Sequence, residues 1–194
     1  MGLSKPDRRT QRTRQALMGA FIDLLLERGY DKISVADVVE RANVGRSTFY
    51  AHYGGIDGMV SASLTHPSSQ LAAVVEPEAT AADFAGLLGH FKDQRRRNRA
   101  FFTAPLRTVW VRRLAELIEP RLAATTGSRP AVTPRLPLNL IAAQLAEAQI
   151  ALVDNWLSLS PSTSAEIVAE ALVATTQANL AALLGHEATG RERG

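Results

Sequence analysis

Ala42-Asn43-Val44-Gly45-Arg46-Ser47-Thr48-Phe49-Tyr50-Ala51-His52-Tyr53 is the stretch on which the fold turns. Asparagine is the non-glycine residue that most readily enters the left-handed backbone region, so Asn43 marks a turn. Gly45 is a tolerable N-cap for a helix running to about His52. Val44, Phe49 and Tyr53 fall where they can point inward, leaving Arg46, Ser47, Thr48, Tyr50 and His52 toward solvent or a ligand. Upstream, Val35, Val38, Val39 and Ala42 form one apolar stripe on a 3.6-residue period. Ser34, with Asp37 three residues on, resembles a capping box that opens that helix. A helix, a turn of a few residues and a second short helix make a helix-turn-helix pattern.

One more helix precedes this pair. Leu17, Ala20, Phe21, Leu24 and Leu25 share one face of a helix expected from about Arg9 to Arg28, and Gly29 follows where a left-handed C-cap belongs. Tyr30 and Ile33 are expected as plugs between the first and second helices. Ahead of it all, Lys5, Arg8, Arg9, Arg12 and Arg14 stand against the single acid Asp7. A basic segment leading into a helix suits phosphate contacts and counterion release. The outward set on the last helix has matching chemistry. Arginine reads guanine with two hydrogen bonds, and Ser, Thr and Tyr hydroxyls bond phosphate oxygens.

Downstream the patterning stays helical. A fourth helix is expected from near Asp57, stalling at His66-Pro67 because proline removes a donor and crowds the preceding turn. Thr80 and Asp83 read as a second capping box, opening a helix with Phe84, Leu87, Leu88 and Phe91 on one face and closing at Arg95-Arg96-Arg97. Ala104 to Leu122 reads as a helix disturbed at Pro120, and Gly127 to Pro137 as a loop. Two long helices follow, from about Leu138 to Leu159 and from Thr163, capped with Glu166, to Leu184. Pro161 is expected to end the first of these, and the tail from His186 to Gly194 to fray. The expected fold is all-α with about nine helices: a three-helix, homeodomain-like domain over 1–55 and a helical domain over 56–194.

Composition narrows the function classes. The chain has 194 residues and no cysteine, which excludes disulfides, thiolate metal sites and a cysteine nucleophile. No apolar run approaches the roughly 20 residues of a membrane span, and the basic start lacks the apolar core of a signal peptide. A cytoplasmic location without membrane association follows. His52, His66, His90 and His186 form no i, i+4 metal pair, and there is no HExxH, Gly-rich phosphate loop or GxSxG. Neither catalytic nor metal-ligating residues nor a cofactor are expected.

Residues 12 to 60 resemble the N-terminal domain of the tetracycline-repressor (TetR) family. The likeness rests on the Arg-rich start, Gly29-Tyr30, Ile33-Ser34-Val35, Val38, the Ala42-Asn43-Val44 turn and Thr48-Phe49-Tyr50-Ala51-His52-Tyr53. It implies Arg46 and Ser47 as base readers and Thr48, Tyr50, His52 and Ser34 as contacts to the DNA backbone. In two places the chain departs from the family. Gly55-Ile56 stands where a Ser-Lys or Asn-Lys pair usually opens the fourth helix, removing a phosphate contact for which the basic leader compensates. Gly45 replaces the more usual Ser, removing a capping hydroxyl.

The second half carries the remaining expectations. Dimerisation aligns two recognition helices with two half-sites, so the DNA partner is expected to be a palindromic double-stranded operator. Ala169, Val173, Ala174, Ala178, Ala181 and Ala182 offer small surfaces and Leu145, Leu152, Trp156 and Leu159 bulk for a homodimer interface. The resemblance implies a small-molecule effector pocket among residues such as Phe91, Phe102 and Trp110, with Asn139, Gln144 and Asn155 as polar anchors, and repression as the usual mode. The alternatives are a homeodomain-like DNA-binding protein without an effector and a helical enzyme.

Overall fold

A computed structural model describes residues 8–128, 133–160 and 162–184. Among the described residues there are nine α-helices and no strand: α1 (Arg8–Arg28), α2 (Val35–Ala42), α3 (Arg46–His52), α4 (Ile56–Ala73), α5 (Ala81–Asp93), α6 (Arg95–Asn98), α7 (Leu106–Gly127), α8 (Leu138–Leu159) and α9 (Ala165–Leu183). Short 3-10 turns cover Tyr30–Lys32 and Arg99–Phe102. The fold is all-α, as the periodicity predicts. Two compact units form, Met1–Thr65 and His66–Gly194, and the division falls inside α4.

In the first unit α1 buries Leu17, Ala20, Phe21, Leu24 and Leu25, the stripe read from sequence. Val38 and Val39 of α2, Phe49 of α3 and Met59, Val60 and Leu64 of α4 complete that core. Gly29 takes φ 77°, a left-handed conformation that favours glycine, and ends α1. Tyr30 and Ile33 are half-buried rather than full plugs. The Tyr30 hydroxyl donates to the Asp57 carboxylate and so ties this turn to the start of α4.

In the second unit α7 packs against α8, and α9 against α5 and α8. Polar ties cross between these helices. Arg107 meets Glu147 at 2.7 Å, and the Arg95 guanidinium donates to the Leu157 carbonyl at 2.5 Å. Gln177 donates to the carbonyls of Val74 and Glu76, each at 3.0 Å.

Four boundaries differ from the sequence reading. Helix α4 does not stall at His66-Pro67 but runs through Pro67 to Ala73. The lost backbone bond is offset by burial beyond it, where Leu71 and Ala72 are fully enclosed. Helix α7 likewise passes Pro120. Leu122, 1% exposed, fixes the turn that follows, and the Arg121 guanidinium donates to the Leu117 carbonyl at 2.7 Å. The Arg95-Arg96-Arg97 run does not close α5, which ends at Asp93; it forms the separate short helix α6 after Gln94. Finally, the N-cap of α9 is Ser164, whose hydroxyl accepts from the Ile167 N–H at 3.4 Å. Thr163 has another task. Its carbonyl accepts the Trp156 indole N–H at 3.1 Å and the Lys92 ammonium at 3.2 Å. Lys5 and Asp7 of the basic leader, Pro161 and 186–194, for which the sequence also raises expectations, lie outside the described residues.

Candidate nucleic-acid interface

The geometry of the α2–α3 pair begins with its turn. Asn43 takes φ 51°, ψ 50°, the left-handed conformation expected of it. Its N–H bonds to Glu40, and the Val44 N–H bonds to the Val39 carbonyl at 3.0 Å, closing α2. Gly45 caps α3 in extended backbone with no side-chain bond to the free N–H groups. An open groove of about 500 Å³ follows the turn, lined by Val39, Glu40, Asn43, Val44, Gly45 and Arg46.

Phe49 and Tyr53 hold α3 to the unit. Phe49 is fully buried and Tyr53 is buried at 7% exposure. Their ring centroids lie 5.9 Å apart, and Tyr50 meets Phe49 edge-on at 5.3 Å and 88°. Burial pushes the Tyr53 phenol up from its ordinary value, while the nearby Arg14 charge of α1 pulls the other way.

The opposite face carries the candidate contacts. Arg46, Ser47, Thr48 and Tyr50 are exposed and lie on α3 with His52, which is half-buried. Among the described residues Arg46 has no ion-pair partner, whereas neighbouring cations are engaged. Arg28 pairs with Asp37 at 2.9 Å, and Arg41 grips Glu27 through two bonds of 2.8 Å. The hydrogen bond from Arg41 holds Glu27 below its usual range; the bonds from the Ser34 hydroxyl and N–H, then Arg28, do so for Asp37.

Ser34 is placed differently from the α3 residues. The Asp37 N–H donates to its hydroxyl oxygen at 3.2 Å, while the Ser34 N–H and hydroxyl donate to Asp37 Oδ2 at 2.9 and 2.5 Å. The capping box is complete, so the hydroxyl is occupied within the helix start. At the opening of α4 stand Ile56 and the acid Asp57, and Asp57 is held by Tyr30. Burial, then the bond to Asp57, pushes the Tyr30 phenol up to about 12.

The expected effector residues separate into two groups. Phe91, Phe102 and Trp110 come together as a buried cluster, with centroids 6.5 Å (Phe91–Phe102), 5.9 Å (Phe91–Trp110) and 4.8 Å (Phe102–Trp110) apart. Asn139, Gln144 and Asn155 are exposed on α8 and do not join them. Asn139 accepts from the Leu140 N–H. Asn155 lines an apolar groove of about 330 Å³ with Leu152, Trp156, Leu159, Ile167 and Ala171 among others. Gln149, which sequence reasoning passed over, is 1% exposed on the same helix. The signal was there: Gln149 falls four residues after Leu145, on the apolar stripe of α8.

The surface proposed for a partner is also redistributed. Leu145 and Ala169 are buried in the unit's own core and offer nothing outward, and Trp156, 4% exposed, reaches the surface only along the apolar groove that it lines. Ala174, Ala178, Ala181, Ala182 and Leu159 remain exposed, and Val173 and Leu152 are half-buried. Among the described residues no group of three His, Cys, Asp or Glu could hold a metal ion, and no helix is long and apolar enough to cross a membrane.

Comparison with known proteins points the same way as this geometry. Residues 18–62 match the family model of bacterial regulatory proteins, tetR family. An HTH-type transcriptional regulator of Bacillus subtilis (strain 168), YxbF, is 35% identical over 66 residues, which are 34% of this chain and 17% of that protein. The chain thus spans about a sixth of that relative's length. A TetR transcriptional regulator from Streptococcus agalactiae 2603V is 25% identical, with TM-score 0.56, over 88% of this chain and 96% of its own. NalD of Pseudomonas aeruginosa, the secondary repressor of the MexAB-OprM multidrug efflux pump, shares the fold at 22% identity and TM-score 0.55, covering 96% and 100% of the two chains.

Proposed function

We propose that this chain, whose residues 18–62 match the model of bacterial regulatory proteins, tetR family, is a member of that family and a dimeric, ligand-responsive repressor that binds a palindromic operator. The observation that carries the reading is α3. It buries Phe49 on one side and presents Arg46, Ser47, Thr48 and Tyr50 on the other, with Arg46 unpaired among the described residues. Arg46 and Ser47 read base edges in the major groove, while Thr48, Tyr50 and His52 position the helix on phosphates. Ser34 contributes less than the resemblance implies, because its hydroxyl is engaged by Asp37. Residues 1–55 carry the DNA contacts, and residues 56–194 carry effector binding and dimerisation.

Two further features support the assembly and its control. Leu159 and Ile167, 78% and 57% exposed, lie with Leu152 and Ala171 along the apolar groove of α8 and α9, a surface suited to a second copy. The aromatic cluster of Phe91, Phe102 and Trp110 supplies the apolar wall of an effector site. NalD is a repressor, and repression is carried here from that relative. The protein is read as a cytoplasmic binder rather than a catalyst.

Selection of bound fragments from a random DNA pool tests the reading. The expected result is an enriched palindrome whose affinity falls steeply with salt. Enrichment of no sequence, or binding indifferent to salt, would contradict it.

A further inference from the structure

We propose that Glu40 is a second base reader, and that Glu40 and Arg46 together recognise one G·C pair, the arginine on guanine and the carboxylate on cytosine. The inference deepens the operator-binding reading above and rests on it. Both residues are exposed, and both line the open groove of about 500 Å³ that follows the α2–α3 turn. The turn itself brings them to one place. Glu40 stands in the last turn of α2 and Arg46 opens α3. Between them the Asn43 N–H bonds back to the Glu40 carbonyl at 3.1 Å and the Val44 N–H to Val39 at 3.0 Å. A cation and an acid thus share one groove without pairing. Among the described residues neither side chain has an ion pair or a hydrogen bond.

The fold has no use of its own for an acid at this point. A carboxylate in the last turn of a helix faces the negative end of the macrodipole, where a cation is favoured. Its neighbour Arg41 follows that rule and is held by Glu27 at 2.8 Å, but Glu40 has no such compensation. Gly45, which lines the groove beside them, is likewise not required by the protein. Its backbone is ordinary extended chain at φ −67°, and an added Cβ would meet nothing nearer than Thr48 Oγ1 at 3.8 Å. Neither conformation nor packing calls for glycine there. A bare position in the lining leaves room for a close approach from outside.

The paired chemistry selects the ligand. In the major groove a G·C pair presents the N7 and O6 acceptors of guanine and, next to O6, the N4 amino donor of cytosine. A guanidinium forks two N–H groups onto N7 and O6, and a carboxylate accepts from N4. The other pair is rejected at both points. Adenine would turn its N6 donor toward Arg46, and thymine its O4 acceptor toward Glu40. A phosphate contact is excluded for Glu40 by charge, so the residue can only lower affinity for DNA whose bases do not match. That repulsive element is what separates reading from mere adhesion.

Full-length wild type, Glu40→Ala, Arg46→Ala and the double variant are each used to select fragments from one random DNA pool at one salt concentration. The preference at every position is then read from the enriched sequences. The wild-type pool is expected to hold, in each half-site, a G·C pair that Arg46→Ala relaxes. Glu40→Ala should relax that same pair, losing a roughly tenfold preference for it over A·T, and the double variant should lose little more than either single one. Urea unfolding of Glu40→Ala should have an unchanged or higher midpoint, because the acid serves no contact in the fold. An unchanged preference overturns the proposal, as does a change of affinity that is equal on all sequences. Relaxation at a different position from that of Arg46→Ala, or a lowered midpoint, does so too. In each of those cases an operator is still selected, so the regulator stands and only the pair falls. A wild-type chain that selects no DNA would sink the regulator itself and the pair with it.

Discussion

Replacing Phe49 with alanine tests whether α3 exists only because one ring holds it. The helix has seven residues, too few to persist alone in water. Its only fully enclosed side chain is Phe49, with Tyr53 at its end. Removing a buried phenylalanine costs about 3–5 kcal/mol. A unit of 65 residues at ~0.05–0.15 kcal/mol per residue holds roughly 3–10 kcal/mol in total, so Phe49→Ala removes a third of it or more. The chain carries its own reporters, because Tyr30, Tyr50 and Tyr53 lie in the first unit and Trp110 and Trp156 in the second. Urea unfolding is followed by tyrosine near-ultraviolet absorbance and, in parallel, by tryptophan fluorescence. With a slope of about 1 kcal/mol per molar urea, the tyrosine midpoint should fall by about 3 M, or the unit should be unfolded without urea. A tyrosine midpoint within about 0.5 M of the wild type would refute the reasoning, since Phe49 would then not be what holds α3. The tryptophan signal tells whether the damage spreads.

Arg46→Ala should leave both unfolding transitions in place, cost about 1–3 kcal/mol of operator binding and relax base preference; equal loss on every sequence would make it a phosphate contact. Tyr50→Phe should weaken all sites alike, and an altered base preference in the selected pool would contradict its role. Arg8→Ala with Arg12→Ala should lower the slope of log affinity against log salt by roughly 2, and an unchanged slope would remove α1 from the DNA. The Tyr30 phenol keeps its proton to about 12 in the fold but to about 10 when unfolded, so its share of stability is full below about 10 and lost as pH rises toward 12. Tyr30→Phe should flatten that alkaline loss in pH-jump unfolding; an identical profile would show that another group is responsible. Leu159→Glu with Ile167→Glu should shift sedimentation to the monomer with helicity intact, and a persisting dimer would move the interface elsewhere.

What was legible in the sequence was whatever local chemistry decides. Ser34 with Asp37, and Thr80 with Asp83, form the capping boxes their spacing announces, and Asn43 takes the left-handed turn. The stall expected at Pro67 did not occur, and the helix expected to be disturbed at Pro120 runs on past it, for a shared reason. A proline's cost is local, but it is outweighed by the tertiary burial of Leu71 and Leu122, which a local pattern does not announce. The cap of α9 moved from Thr163 to Ser164 because two neighbouring hydroxyls are equally good candidates until Trp156 and Lys92 claim the Thr163 carbonyl. The polar residues of α8 carry a similar ambiguity. Asn139, Gln144, Asn155 and Gln149 all lie on one long helix, and only its packing shows that Gln149 faces inward while the other three do not.

The same pairing logic separates where affinity and specificity reside in the first unit. Arg28 and Arg41 are committed to Asp37 and Glu27, Arg14 lies near Tyr53, and α4 opens with Ile56 and Asp57 instead of a cation. Positive charge directed outward lies at Arg46, at Lys32 and at the first turns of α1, where Arg8 and Arg12 are exposed. Cations at a helix N-terminus oppose the macrodipole, and among the described residues the first turn of α1 carries no acid. Such an arrangement weakens α1 in isolation and is relieved when phosphate anions arrive. On the proposed DNA-binding reading, the salt-dependent part of binding is expected of α1 and the sequence-dependent part of α3. Because Arg46 lies far along the chain from Arg8 and Arg12, substitutions at the two sites should change the two quantities independently.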